Sequence, residues 1–263
     1  VDEPASAVTP LDLSDRRLAA SAAHDRIRSL ILSGRLPSGT VISQVDLAAE
    51  LGISRTPLRE ALRMLEEEGL IEAEPNRRSR VAAFSAAEMD AIYGIRLLLE
   101  ALGMRLTLAT LPPAAIEQAG FLLDELEELG GPAAGEAWHR VHHAFHETFV
   151  AGAPDPLFDQ IVSYAQRSER YMYQEAHAGP ALSRGRPAEH RQILQLVRAR
   201  DYDAAVITAA RHLARTPMLI LAELAADTEP VTIRGALSMI SSMGATPGRA
   251  EERAERKPRR TTA

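Results

Sequence analysis

Four of the eight histidines in this 263-residue chain fall where helices can aim them at one point. His142 and His146 are four residues apart, so on a helix they share one face. His190 and His212 lie on two later segments of helical periodicity, which a bundle can bring opposite the first pair. There is no Cys in the chain, so thiolate ligands, thiolate nucleophiles and disulfides are excluded. Four imidazoles suit zinc, nickel or another borderline divalent ion. Only neutral imidazole ligates, so metal binding is expected to weaken below about pH 6.5. His139 and His143 point to other parts of the same helix surface and are weaker candidates.

A second constellation is basic. Arg55, Arg59 and Arg63 are also spaced by four and share a helix face. Arg55 stands at the start of its segment, the positive end of the helix dipole, where an anionic partner would explain it. Arg can bridge guanine N7 and O6, while the hydroxyls of Ser54 and Thr56 suit phosphate oxygens. Arg77, Arg78 and Arg80 are candidates for phosphate or minor-groove contact. The competing reading is a solvated face in which these arginines pair with Glu60, Glu66 and Glu67. Arg96, flanked by Ile95 and Leu97, either binds a carboxylate ligand or makes a weak surface pair with Glu100. Arg167 and Arg170 are further cations that the sequence does not rank.

The elements that must position these groups are mostly helical. Apolar spacing predicts a helix from about Asp15 to Ser33, stopped by Gly34 and followed by the turn Pro37-Ser38-Gly39. Ser43 with Asp46 starts a short helix that Gly52 ends. Ser54 is the expected cap of the next, with Pro57 in its first turn and Leu58, Leu62 and Leu65 at helical spacing. Residues 70–73 and 80–83 read as two short strands around Pro75-Asn76. Three helices with a tight glycine turn, then a hairpin, make a winged helix-turn-helix, whose second motif helix enters the major groove. From Ser85 onward the expected helices are about 86–110, 113–130, 133–151, 155–178, 187–200 and 202–226. The fold class is therefore mainly α. Its domains are a flexible tail at 1–15, a winged helix-turn-helix at 16–83, an all-α bundle of about six helices at 84–226 and a disordered tail at 227–263.

Composition supports this division. Aromatic residues are only 4% of the chain, so the core must be aliphatic, which suits helices better than a β-sandwich. The net charge of -6 is not that of a uniformly basic nucleic-acid binder, but residues 15–83 carry 11 Arg against 10 Asp and Glu, and residues 84–226 carry 12 against 18. No apolar run reaches the roughly 18–20 residues that span a bilayer, and no signal-peptide pattern is visible, so a cytoplasmic location without membrane contact is expected.

Leu36-Pro37-Ser38-Gly39-Thr40, Asp46-Leu47-Ala48, the run from Leu51 through Ser54-Arg55-Thr56-Pro57-Leu58-Arg59-Glu60-Ala61-Leu62, and Leu65 through Ile71 resemble the GntR family of bacterial regulators. The family usually has Gly where Arg78 stands. Ile95 to Glu100, Phe145-His146, Glu189-His190 and Arg211-His212-Leu213 resemble the FCD-type ligand domain of that family's FadR branch, and about six helices point to its VanR-like subgroup. The resemblance implies a homodimer on double-stranded operator DNA. It also implies a small organic acid or related metabolite as effector, and a metal whose first ligand, usually Asp, is here His142. The expected function is a repressor released by an organic acid bound near the metal and Arg96. The rivals are a metal-dependent enzyme, against which stands the absence of any H-E-x-x-H pattern, and a constitutive DNA-binding protein with an empty pocket.

Overall fold

The computed structural model describes residues 16–74, 78–131, 134–178 and 186–243. The expected tail at 1–15, the wing tip with Arg77, and the polar end from 244 lie outside the described residues.

The N-terminal unit is built from α1 (Arg16–Leu32), β1 (Val41–Ile42), α2 (Gln44–Leu51), α3 (Arg55–Glu67), β2 (Ile71–Glu74) and β3 (Arg78–Val81). Ser43 caps α2 by accepting from the Asp46 amide at 3.4 Å. Gly52 ends it at φ 69°, a left-handed conformation that glycine adopts without strain. Ser54 occupies the cap position of α3 in extended conformation, yet makes no side-chain capping bond, contrary to expectation. Leu58, Ala61, Leu62 and Leu65 bury one face of α3 against α1, whose Ala23 and Ile27 are fully buried. That packing turns the opposite, arginine-bearing face to solvent.

The wing is a three-stranded antiparallel sheet in the order β1-β3-β2, with Ile71 opposite Val81 and Val41 opposite Arg80. The sequence reading missed β1, since two residues are too few to show alternation. It forms because the turn before it is stitched to β3: Gly39 N donates to Val81 O and Val81 N to Thr40 O, both at 2.9 Å.

Among the described residues the C-terminal unit has seven helices rather than six: α4 (Ala86–Thr107), α5 (Pro113–Leu129), α6 (Glu136–Thr148), α7 (Leu157–Ala178), α8 (Arg186–Arg198), α9 (Tyr202–Leu224) and α10 (Val231–Met243). Ser85 caps α4 by accepting from Glu88 N at 3.2 Å, as its sequence indicates. The expected disordered tail at 227–263 is corrected over 231–243, and the helix count behind the six-helix subgroup is corrected with it. The cause is tertiary. Asp90 of α4 accepts from the amides of Thr232 and Ile233 at 2.9 and 3.0 Å, capping α10 from another helix. Gly94 admits the contact, because a Cβ there would lie 2.4 Å from Thr232 Cγ2. Ile233, Ala236 and Ile240 then join the bundle core.

Candidate functional site

The DNA-facing candidates lie on the solvent side of α3. Ser54, Arg55, Thr56, Arg59 and Arg63 are all exposed. Arg63 pairs with Glu67 at 3.0 Å, so the solvated-face reading holds for that residue. Arg55 and Arg59 make no ion pair among the described residues, which leaves two guanidinium groups one turn apart at the start of the helix. Arg78 is exposed at the start of β3, whereas Arg80 is half-buried and donates from Nη1 to Gly39 O at 2.7 Å. Arg80 therefore ties the turn before β1 to the sheet, and Arg78 is the more exposed of the two.

The bundle brings the four histidines together. His142 and His146 on α6, His190 on α8 and His212 on α9 are all buried, and each offers a nitrogen within 4.8 Å of the others. The Nε2 atoms of His142 and His146 are 3.2 Å apart. Trp138 stacks on His142 at 4.5 Å and 17°, holding the ring from its other side. Burial first, then the neighbouring imidazoles, pushes His142 well below its ordinary pKa. Burial, followed by His212, His190 and Arg96, does the same to His146. Both rings thus stay neutral in the fold, the state in which imidazole binds metal, and protons begin to compete further below pH 6.5 than the free side chain suggests.

Glu189 sets the orientation of one member. Its Oε2 lies 2.8 Å from His212 Nδ1, and its Oε1 accepts from Arg215 at 2.7 Å. A carboxylate on Nδ1 fixes the proton there and leaves Nε2 as the lone-pair donor, the usual arrangement around a metal-ligating histidine. Burial alone would raise Glu189, but the bond from His212 and the charge of Arg215 hold its pKa below the ordinary range. The donor set fits a borderline divalent ion: four nitrogens, no thiolate and no oxygen. His142 Nδ1 is buried without a hydrogen-bond partner among the described residues. Four neutral ligands bring no charge of their own, and the Glu189 carboxylate on His212 offsets only part of a dication's charge, so the centre would attract an anion.

A cavity of about 500 Å³ reaches this cluster at His146. Arg96 and Glu100 line it too, but their pair is not the surface contact expected. Arg96 is 2% exposed, and it donates from Nε to Glu100 at 2.7 Å and from Nη1 to Ser168 at 2.6 Å. Arg167 lies over the Tyr164 ring at 5.2 Å, and the Arg170 side chain falls outside the described set. His139 and His143, which the sequence reading ranked low, both line the cavity. Burial, then the charge of Arg96, pushes His143 down to about 3. Glu189 entered the sequence reading only as part of the Glu189-His190 resemblance, without a role, and the cavity wall that the DNA-binding unit supplies through His24, Arg28 and Glu68 was missed.

Residues 19–81 match the bacterial regulatory proteins of the gntR family, and residues 91–215 match the FCD domain. An uncharacterized HTH-type transcriptional regulator of Agrobacterium vitis, from the TAR-I ttuE-ttuC' intergenic region, is 34% identical over 51% of this chain and 80% of its own. A probable D-xylose utilization operon transcriptional repressor of Paenarthrobacter nicotinovorans is 28% identical over 54% of this chain and 65% of its own. The solved structure of E. coli McbR/YncC has the same fold, with a TM-score of 0.65 at 21% identity over 78% of this chain and 98% of that one. Among the described residues no helix is long and apolar enough to cross a membrane. An exposed arginine face on a winged helix-turn-helix, joined to an FCD bundle, places this chain in the GntR family of bacterial regulators, in the FadR-like branch, as a DNA-binding transcription regulator and not an enzyme.

Proposed function

We propose that this regulator is a homodimeric, cytoplasmic repressor released from its operator by a small organic acid bound beside a divalent metal, zinc or nickel. The buried cluster of His142, His146, His190 and His212, opening on a cavity of about 500 Å³, is the observation that carries the reading. That volume suits a small metabolite. The four imidazoles would hold the metal, whose charge the carboxylate of such an acid would offset, with Arg96 adding positive potential from the cavity wall. When bound, the metal supplies Lewis acidity for anchoring the acid. The protein's residues do the rest: burial keeps the imidazoles neutral, Glu189 orients His212, and Trp138 backs His142. Repression is supported by the name of the Paenarthrobacter nicotinovorans relative.

Arg55 and Arg59 read bases, Ser54 and Thr56 hold phosphates, and Arg78 reaches the groove beside the wing. Reading two half-sites needs two copies. The α4 face formed by Ile95, Leu98, Leu102 and Leu106, 38–47% exposed and one helical stripe, supports a symmetric interface there. In gel-shift titrations against an operator selected from random duplexes, Arg59→Ala is expected to lose specific binding by about 1–3 kcal/mol and keep nonspecific binding. Unchanged discrimination would refute the base-reading assignment. Light scattering is expected to show a dimer that Leu102→Glu breaks, and a wild-type monomer would refute the dimer.

A further inference from the structure

Arg28 of α1 stands between two carboxylates that belong to different domains. Its Nε donates to Glu68 Oε2 at 3.2 Å, and its Nη2 makes an ion pair with Glu169 of α7. Glu68 is the C-cap of α3, the helix that carries the DNA-facing arginines, and it also contacts His24 Nε2 at 2.6 Å. Glu169 reaches the other way. Its Oε1 lies 2.8 Å from Nε2 of His143, which rides on α6 beside His142.

Glu169, Arg28, Glu68 and His24 thus form a run of ion pairs and hydrogen bonds, with the His143 ring packed against its Glu169 end but making no hydrogen bond through Nε2 among the described residues, and all five line the cavity. They are 10–21% exposed, so solvent and salt screen the two Arg28 pairs poorly, whereas the uncharged His143 ring meets Glu169 as a packing contact. One end of the run is fixed to the helix that carries two of the four clustered histidines. The other end is fixed to the foot of the recognition helix. Closing four imidazoles on one ion would tie α6, α8 and α9 together, and a shift of α6 would press the His143 ring on Glu169.

We propose that Arg28 is the residue through which occupancy of the four-histidine cavity reaches the recognition helix, by holding Glu68 of α3 and Glu169 of α7 in one shared ion-pair bridge. The trigger rests on the metal-centre reading given above, whereas the bridge itself does not. Contiguity alone does not show coupling, since the intermediate must respond to one end and bias the other.

Hydrogen exchange on the full-length protein, with zinc as the probe, tests this. In the wild type, zinc is expected to slow exchange in α6, α8 and α9 and also to change it in α1 and the last turn of α3. In Arg28→Gln and in Glu169→Gln, zinc content and the slowing in α6, α8 and α9 should persist while the change in α1 and α3 disappears. The proposal is overturned if both variants keep that change, or if zinc occupies the wild type and leaves α1 and α3 untouched. Failure of zinc to bind the wild type would instead remove the metal centre. The bridge is then judged by thermal unfolding of the two single variants and the double variant. A double variant no less stable than the weaker single supports a shared pair, and additive losses overturn it.

Discussion

Arg63–Glu67 on α3 and Arg96–Glu100 on α4 are the same two residue types at the same helical spacing. Their N–O distances are 3.0 and 2.7 Å. Yet the first pair is 72% and 63% exposed, and the second is 2% and 6% exposed. On α3 the arginines face solvent because the other side of the helix is taken by Leu58, Leu62 and Leu65. On α4 the bundle surrounds the helix, and Arg96 finds Ser168 of α7 as a second acceptor. A charge left in water is free to meet a phosphate or a base. A charge taken out of water must be fully bonded within the fold, and it then serves as a fixed source of potential. Here that potential falls on His143 and His146, where Arg96 contributes to their lowered pKa values.

The largest expected effect tests the buried member of this comparison. Arg96→Ala leaves Glu100 buried and unpaired, and should cost about 3–5 kcal/mol in chemical denaturation. Replacing both partners together, as Arg96→Met with Glu100→Leu, should recover most of that loss. If the double substitution is as damaging as the single one, the pair is not the unit that the geometry indicates.

Next comes the carboxylate beside the histidine cluster. Glu189→Gln keeps the shape but loses the charge that fixes the proton on His212 Nδ1. Zinc affinity, measured by competition with a chelating dye, should fall about 10–100-fold while the fold is retained. Wild-type affinity in that variant would show that Glu189 only pairs with Arg215.

A smaller effect concerns pH. The bond from Glu68, set against the opposing cost of burial, raises His24 above its ordinary value of 6.5. Burial pushes Glu68 up, but the bond from His24 and the charges of His24 and Arg28 bring it below 4.5. The His24 contribution is complete below 6.5 and fades as pH rises through the raised value. The Glu68 contribution is complete above 4.5 and fades as pH falls through the lowered one. Their contact should therefore stabilise most between pH 4.5 and 6.5, by an amount on the order of the 1 kcal/mol typical of a hydrogen bond. Calorimetry of His24→Ala should show the largest deficit against wild type in that window, and a deficit that grows above it would refute the assignment. The smallest effect returns to the exposed pair: Arg63→Ala should change stability by no more than about 0.5 kcal/mol.

What could be read from the sequence was what the chain encodes locally. Ser43, Gly52, Ser85 and the leucine spacing of α3 each act within a turn or two of their own position, and those elements appear where expected. The histidine pair on α6 was legible for the same reason, and the apolar pattern placed α8 and α9 to carry His190 and His212. What escaped was tertiary. The cap of α10 comes from Asp90 on α4, so Pro230 beside Val231 stands without a local Ser, Thr, Asp or Asn cap. Strand β1 exists only through its pairing with β3. The burial of Arg96 depends on α7, and the link from Arg28 to Glu169 joins two domains that no periodicity connects.

Metal content of the purified full-length chain tests the central claim most directly. After exposure to zinc at neutral pH and removal of excess ion, elemental analysis should find about one divalent ion per wild-type chain. The His146→Ala, His190→Ala variant should hold none, remain helical by circular dichroism and still bind operator DNA. A wild type that retains no metal, or a variant that retains as much as the wild type, would contradict the account.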